Sequence, residues 1–225
     1  MPKQRADIPP LPAPGELRLI QAFVNTYDLE TEEDRIGSPQ VLATWLARRQ
    51  MSLADGEVND PIWQSARTVR QGLHAVIAAG GGVVTEASAI EGLNQALRDV
   101  QLMPRFDHAG ALFLQGQRSG WHAVLARMIL IVSDAVKTGR WRRLKICRNA
   151  TCQRVFYDSS RNRSGKWCTP RRCGNRINLK TYRSRGPTYM RGKKPVMILD
   201  HRMTVPVRRP SPESLRASRQ PPHED

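Results

Sequence analysis

The sequence predicts a mainly α-helical N-terminal domain with a short β-hairpin, followed by a small C-terminal module in which a metal ion holds a β-hairpin and a helix together. Two observations support this fold class. Apolar residues recur at helical spacing between positions 17 and 136, and all four cysteines lie within 27 residues as C-x4-C-x15-C-x4-C. The 225 residues are enough for one main domain and one small module.

Capping signals mark the helices of the N-terminal domain. Ser38-Pro39 is typical of an N-cap followed by proline in the first turn, and Asp60-Pro61 repeats that signal. Gly80-Gly81-Gly82 is expected to end the second of these helices, and Thr85 to cap the next. These signals predict three helices between residues 39 and 97.

The later part of the domain predicts a hairpin over residues 103–115, turning at residues 108–110, and a central core helix over 121–138 that ends at Gly139. That helix carries Arg127 and Asp134 and is too short and too charged to span a bilayer.

Composition divides the chain into four parts. Residues 1–15 contain five prolines and few other apolar residues, which predicts a disordered leader. Residues 16–139 form the main domain and residues 140–186 the cysteine module. Residues 187–225 are expected to be a basic, Pro-rich and largely disordered tail.

The cysteine spacing predicts one structural zinc ion. Each short pair closes a turn that presents two thiolates to one side of the metal, and four thiolates make a closed tetrahedral site. The predicted ligands are Cys147, Cys152, Cys168 and Cys173. Two disulfides or four free thiols are the alternatives, but disulfides need an oxidising compartment and no apolar secretory segment opens the chain. We therefore expect a cytoplasmic protein.

Around the cysteines, two β-prone runs at residues 144–146 and 155–157 predict a hairpin with the first Cys pair at its tip. Trp167 is expected to cover one side of the metal site. A helix is predicted to begin at Pro170, or after Gly174 with Asn175 as N-cap, and to run to about residue 185.

Excess positive charge is confined to this module and the residues just after it. Residues 140–194 contain 18 Lys or Arg and a single acid, whereas the other 170 residues contain 18 basic and 19 acidic groups. A one-sided field of this size favours nucleic acid as the partner over a membrane surface or an acidic protein. The candidate contacts are Arg161, Arg163, Lys166, Arg171, Arg172, Arg176, Lys180, Arg183 and Arg185.

The residues also resemble a known family. The run from Cys168 to Arg176 ends in C-G-N-R and, with the upstream cysteine pair, resembles the CGNR zinc finger of bacterial proteins. Phe23-Val24-Asn25-Thr26, followed by Leu42-x2-Trp45-Leu46, resembles the ABATE domain that accompanies this finger. This resemblance implies a stress-induced transcription regulator with a DNA-binding finger and four cysteine ligands. Ala22 stands where relatives often have an acidic residue.

No enzyme is expected, because the sequence contains no H-E-x-x-H, G-x-S-x-G or Walker motif. The main hypothesis is a zinc-dependent DNA-binding regulator whose N-terminal domain senses a small molecule or forms a homodimer, with no membrane partner. An RNA-binding module, or a protein-interaction finger with a ligand-binding N-terminal domain, are the alternatives. Loss of zinc is expected to unfold the C-terminal third alone.

Overall fold

The structure is a computed structural model that describes residues 10–51, 53–54, 56–117 and 119–184, except for the side chains of residues 180, 181, 183 and 184. The predicted tail at 187–225 and residues 1–9 of the predicted leader lie outside this range. No helix in the described range is long and apolar enough to cross a lipid bilayer.

The N-terminal part contains five helices and two short antiparallel strand pairs within its described residues. In chain order these are α1 (Leu17–Val24), β1 (Tyr27–Asp28), β2 (Glu33–Asp34), α2 (Pro39–Ala47), α3 (Asp60–Gly80), α4 (Ala87–Ala96), β3 (Leu102–Phe106), β4 (Leu112–Gly116) and α5 (Gly120–Lys137). Strand β1 pairs with β2 and β3 with β4. The predicted hairpin and the long helix after it are therefore confirmed.

The C-terminal part is a third strand pair and a helix. A short 3-10 turn at Trp141–Arg143 leads into β5 (Leu144–Ile146), which pairs antiparallel with β6 (Val155–Tyr157). A wide helical turn at Pro170–Gly174 continues directly into α6 (Asn175–Ser184). The predicted fold class is confirmed in both parts, but Asn175 has helical dihedrals and is not an N-cap.

The helix caps show how closely local signals set the boundaries. The Ser38 side chain accepts a hydrogen bond from the Val41 amide, as its N-cap role predicts. For α3 the cap is Asn59, one residue before the predicted Asp60, and its side chain accepts from the Ile62 amide at 3.1 Å. The cap before α4 is Glu86 and not Thr85.

One hydrophobic core joins the helices. Ile20 and Phe23 of α1, Leu42 of α2, Val69 of α3 and Leu125 of α5 are almost completely buried in it. Their spacing places each on one face of its helix, so the core is where those faces meet.

The cysteine module shares this core. Leu144 of β5 and Val155 of β6 are buried among the same side chains, and residues 17–184 lie within one compact unit. The module is therefore packed against the helical domain and does not stand apart from it.

The end of the leader also differs from its prediction. Ala13 is buried, and its amide donates a hydrogen bond to the Gln21 side chain at 2.6 Å. The prolines at 10, 12 and 14 restrict the chain before folding, so fixing this segment costs little conformational entropy. Residues 10–15 are thus part of the folded domain, whereas we predicted disorder there.

Candidate metal centre and basic surface

The first cysteine pair lies at the tip of the β5–β6 hairpin. The Cys147 amide donates to the Arg154 carbonyl, which closes the ladder, and the amides of Cys152 and Gln153 both donate to the Asn149 carbonyl. Gln153 takes a positive φ of 47° to complete the turn. This tight backbone turn puts both sulfurs on the same side of the hairpin.

The second cysteine pair is positioned by the helical turn after Thr169. The Cys173 amide donates to the Thr169 carbonyl at 3.1 Å, which turns Cys173 back toward Cys168. Gly174 follows, and a Cβ there would lie 3.2 Å from Cδ1 of Trp167. A glycine is therefore favoured here because the indole packs on the backbone. Trp167 covers the sulfur cluster as predicted.

The four sulfurs have the arrangement that a tetrahedral metal requires. All four cysteines are buried, and their sulfurs lie within 4.8 Å of one another. The Sγ atoms of Cys152 and Cys168 are 3.6 Å apart, and those of Cys168 and Cys173 are 3.7 Å apart. Zinc–sulfur bonds of about 2.3 Å give a tetrahedron edge of about 3.8 Å, so the site fits Zn²⁺.

The electrostatics of the cluster also favour a cation. Hydrogen bonds from Cys152 and Cys168 lower the pKa of the Cys147 thiol to about 4, whereas hydrogen bonds with Cys147 and Cys152 raise the pKa of Cys168. Without a metal, one thiolate forms readily and the next is opposed by its charge. A divalent cation removes that repulsion and lets all four ionise. The buried amide of Asn149 lies 3.6 Å from the Cys173 sulfur and donates to it.

Asp158, the single acid of the module, is used internally. Its carboxylate accepts hydrogen bonds from Lys145 Nζ at 2.6 Å, from the Ser160 hydroxyl at 2.6 Å and from the Gly165 amide at 2.8 Å. Burial alone would raise the pKa of Asp158, but these donors outweigh burial and lower it to about 2. Asp158 thus shapes the loop at 158–167 and adds no negative charge to the outer surface.

The predicted nucleic-acid residues fall into different environments. Arg161, Arg163, Lys166 and Arg171 have exposed side chains, with no side-chain ion pair to any described residue. Arg172 and Arg176 instead meet Glu30 of the helical domain, at 2.5 and 2.6 Å respectively.

The remaining three predicted residues are less fully described. Lys180 and Arg183 lie on α6, but their side chains are outside the described part, and Arg185 lies beyond it altogether. The predicted contacts at these positions stay predictions.

Two residues of this surface were not predicted. Arg148 has an exposed side chain and lies in the hairpin turn at residues 147–153, which we call the knuckle. Its amide donates to the Lys166 carbonyl at 3.0 Å, and this hydrogen bond joins the knuckle to the loop at 158–167. Its position between Cys147 and Cys152 was a usable signal. Glu30 had none, because it is 142 residues from Arg172 in the chain.

Three further contacts fasten the module to the helical domain. The Asn25 side chain donates to the Val155 carbonyl and accepts from the Val155 amide, both at 2.8 Å, as a neighbouring strand would. Asp28 forms a buried ion pair with Arg154; burial raises the pKa of Asp28, but hydrogen bonding to Arg154 outweighs this and lowers it. His74 of α3 lies 3.0 Å from the Gln153 carbonyl, to which its ring nitrogen donates, and burial lowers the pKa of His74.

Comparison with known proteins agrees with this organisation. The model of the CGNR zinc finger family matches residues 143–186. The model of the ABATE family, described as "Putative stress-induced transcription regulator", matches residues 17–138, which is more than half of the chain. No curated protein matches the sequence. The chain therefore belongs to the ABATE family and carries a CGNR zinc finger, whose four cysteines hold one structural zinc ion.

Proposed function

We propose that this protein is a zinc-dependent transcription regulator of the bacterial cytoplasm that binds duplex DNA through the exposed basic side chains of its finger. The observation that carries the proposal is the charge separation within the finger. Asp158, its single acid, is buried against Lys145, so the exposed surface is cationic and has no acid of its own to neutralise it. Phosphate groups are the partner that such a surface favours.

The proposed contact surface consists of five exposed cations on the knuckle and the adjoining loop. They are Arg148, Arg161, Arg163, Lys166 and Arg171. Zinc keeps the knuckle rigid, and the Arg148–Lys166 backbone hydrogen bond holds the two segments together. Helix α6 is expected to add contacts from Lys180 and Arg183.

Duplex DNA is favoured over single-stranded RNA by the placement of aromatic residues. Readers of single strands stack bases on exposed aromatic rings. Among the described aromatic residues of the finger, Phe156 is buried, Trp141 and Tyr157 pack against the hydrophobic core, and Trp167 packs against the sulfur cluster. Tyr182 is exposed. One exposed ring is a poor stacking platform.

A salt titration tests the proposal. If the five cations neutralise five phosphates, the logarithm of the association constant should fall with the logarithm of salt concentration at a slope of about −4.5. Affinity for a labelled duplex would then drop roughly 500-fold between about 50 and 200 mM salt. A flat response would contradict DNA binding and favour a protein partner.

A matched pair of triple variants locates the surface. Arg161→Ala/Lys166→Ala/Arg171→Ala should reduce the slope by about 3, because three phosphate contacts are lost. Arg98→Ala/Arg105→Ala/Lys137→Ala removes the same charge from exposed positions outside the finger and should change it little. Equal effects of both variants would contradict the proposed surface. Competition with duplex RNA of the same sequence separates DNA from RNA.

We propose no catalytic role for the chain, since its four cysteines are metal ligands and His74 is hydrogen-bonded to the knuckle. Homodimerisation also stays a proposal. The β3–β4 hairpin offers an exposed apolar end, where Phe106 and Leu112 pair across the strands.

A further inference from the structure

A large groove opens on the helical domain beside α1. It has a volume of about 940 Å³ and is lined mainly by α1, by α2 and the three residues after it, by two prolines that precede α1 and by one side chain of α5. Its apolar lining includes Leu19, Ala22, Val41 and Trp45. This volume is at the upper end of what small-molecule sites provide.

The charge of the groove is opposite to that of the domain around it. Residues 16–139 contain 11 Lys or Arg and 14 Asp or Glu, a net charge of −3. Five of those 11 cations nevertheless line this groove, together with one acid, Glu16. The cations are Arg18, Arg35, Arg48, Arg49 and Arg127. Cations are therefore concentrated at this groove in a domain whose net charge is negative.

The acid neutralises one of these cations. Glu16 pairs with Arg127 at 3.3 Å. Arg18 and Arg48 have exposed side chains with no ion pair to any residue that the structure describes. The groove therefore presents uncompensated guanidinium groups, each of which can bind a carboxylate or phosphate through two parallel hydrogen bonds.

Arg49 is fixed in place at the apolar end of the groove. Its guanidinium carbon lies 3.8 Å from the centre of the Trp45 ring, and its Nη1 donates to the Trp45 carbonyl at 2.9 Å. Burial, and then the neighbouring charge of Arg48, lower the pKa of Arg49. An anion beside both side chains would relieve that repulsion. A planar cation held on an indole, with donors to spare, is a preorganised anion site.

We propose that this groove binds a small organic anion, with a carboxylate or phosphate group held by Arg18, Arg48 and Arg49 and an apolar body lying against Leu19 and Val41. The apolar lining distinguishes this ligand from inorganic phosphate alone. The volume of the groove admits a body the size of an aromatic ring or larger.

The groove also lies against the attachment point of the finger. Helix α1 supplies Arg18 and Ala22 to the groove, and Gln21 and Asn25, which also line it, hydrogen-bond to the Val155 carbonyl of β6. A ligand that shifts α1 would therefore change how the finger is held. This second step rests on the proposed DNA-binding function, whereas binding of the anion itself does not.

Calorimetry on the full-length zinc-bound protein tests the site, with phenyl phosphate, benzoate and neutral benzyl alcohol as probes. We expect one molecule of phenyl phosphate or benzoate to bind per chain and benzyl alcohol not to bind. Arg18→Ala/Arg48→Ala should weaken binding about tenfold or more, because two charge-assisted contacts are lost. Arg98→Ala/Arg105→Ala, which removes the same charge from exposed positions outside the groove, should leave it unchanged.

Two outcomes would overturn the proposal: neither anion binds at millimolar concentration, or Arg18→Ala/Arg48→Ala binds the anions as well as the wild type does. If no probe binds and the same variant loses duplex DNA affinity in a separate assay, the groove is part of the nucleic-acid surface instead. Because the calorimetry contains no DNA, it can detect anion binding whether or not the protein binds DNA.

Discussion

Replacing Glu30 by Gln tests how the helical domain controls the finger. The Glu30 carboxylate accepts from Arg172 through one oxygen and from Arg176 through the other, and we call this pair of contacts the Glu30 clamp. Hydrogen bonding to Arg176, with both positive charges nearby, lowers the pKa of Glu30, so the clamp is fully charged at neutral pH. DNA that uses these two arginines must first break the clamp.

The magnitude follows from the exposure of the partners. The side chains of Arg172 and Arg176 are 26% and 52% exposed, and ion pairs in such positions contribute about 0.2–1 kcal/mol each. Releasing both should therefore lower the cost of DNA binding by about 1 kcal/mol, which is about a fivefold gain in affinity. If both arginines then reach phosphates, the salt slope should steepen by about 2.

Fluorescence anisotropy with a labelled duplex measures both quantities. Glu32→Gln is the matched control, because it removes the same charge from an exposed position in the same β1–β2 turn. A thermal melt confirms that each variant is folded. Equal affinity gains in the two variants would show that the gain comes from the change in net charge and not from release of the clamp. If Glu30→Gln alone binds DNA more weakly, the clamp orients the two arginines for DNA. That result would refute the reasoning that Glu30 competes with DNA for them.

Two further predictions concern stability. Zinc removal by a strong chelator should increase hydrogen exchange in α1 as well as in the finger, because Val155 is both buried in the shared core and hydrogen-bonded to Asn25. If the amides of α1 are equally protected with and without zinc, the finger unfolds independently of the helical domain. Asp34→Asn should cost about 3–5 kcal/mol of unfolding free energy in urea, because it leaves the nearly buried Arg70 without its carboxylate partner. Burial raises the pKa of Asp34, but hydrogen bonding to Arg70 outweighs burial and lowers it. The stability that the ion pair contributes is therefore complete above the unfolded pKa of 3.8 and is lost only as pH falls through the lower pKa of the folded state. The difference between wild type and Asp34→Asn should thus stay constant from about pH 5 to pH 8, and a dependence on pH within that window would argue against the ion pair as its source.

Features set by local sequence were predictable, and features set by tertiary contact were not. The zinc ligands and the β5–β6 hairpin follow from short spacings, and the Ser38 cap from one dipeptide. The caps at Asn59 and Glu86 were each missed by one residue, because adjacent polar residues compete for the same role. Strands β1 and β2 are two residues each, too short for any alternation to be visible.

The two arginines of the Glu30 clamp show the same limit at the candidate site. Arg172, in the turn before α6, and Arg176, in α6, were predicted as nucleic-acid contacts, but their sequence positions could not reveal that Glu30 lies opposite them. Likewise, the five arginines of the groove come from four separate places between residues 18 and 127, and only the fold brings them together.

Burial of Leu144 and Val155 among the helices limits how the finger can be cut or transplanted. An isolated finger that begins near residue 140 would expose both side chains to water. An isolated helical domain that ends near residue 139 would have a cavity in its core at the place that they fill. Swapping fingers between relatives should then succeed only when the receiving surface on α1 and α3 is exchanged as well.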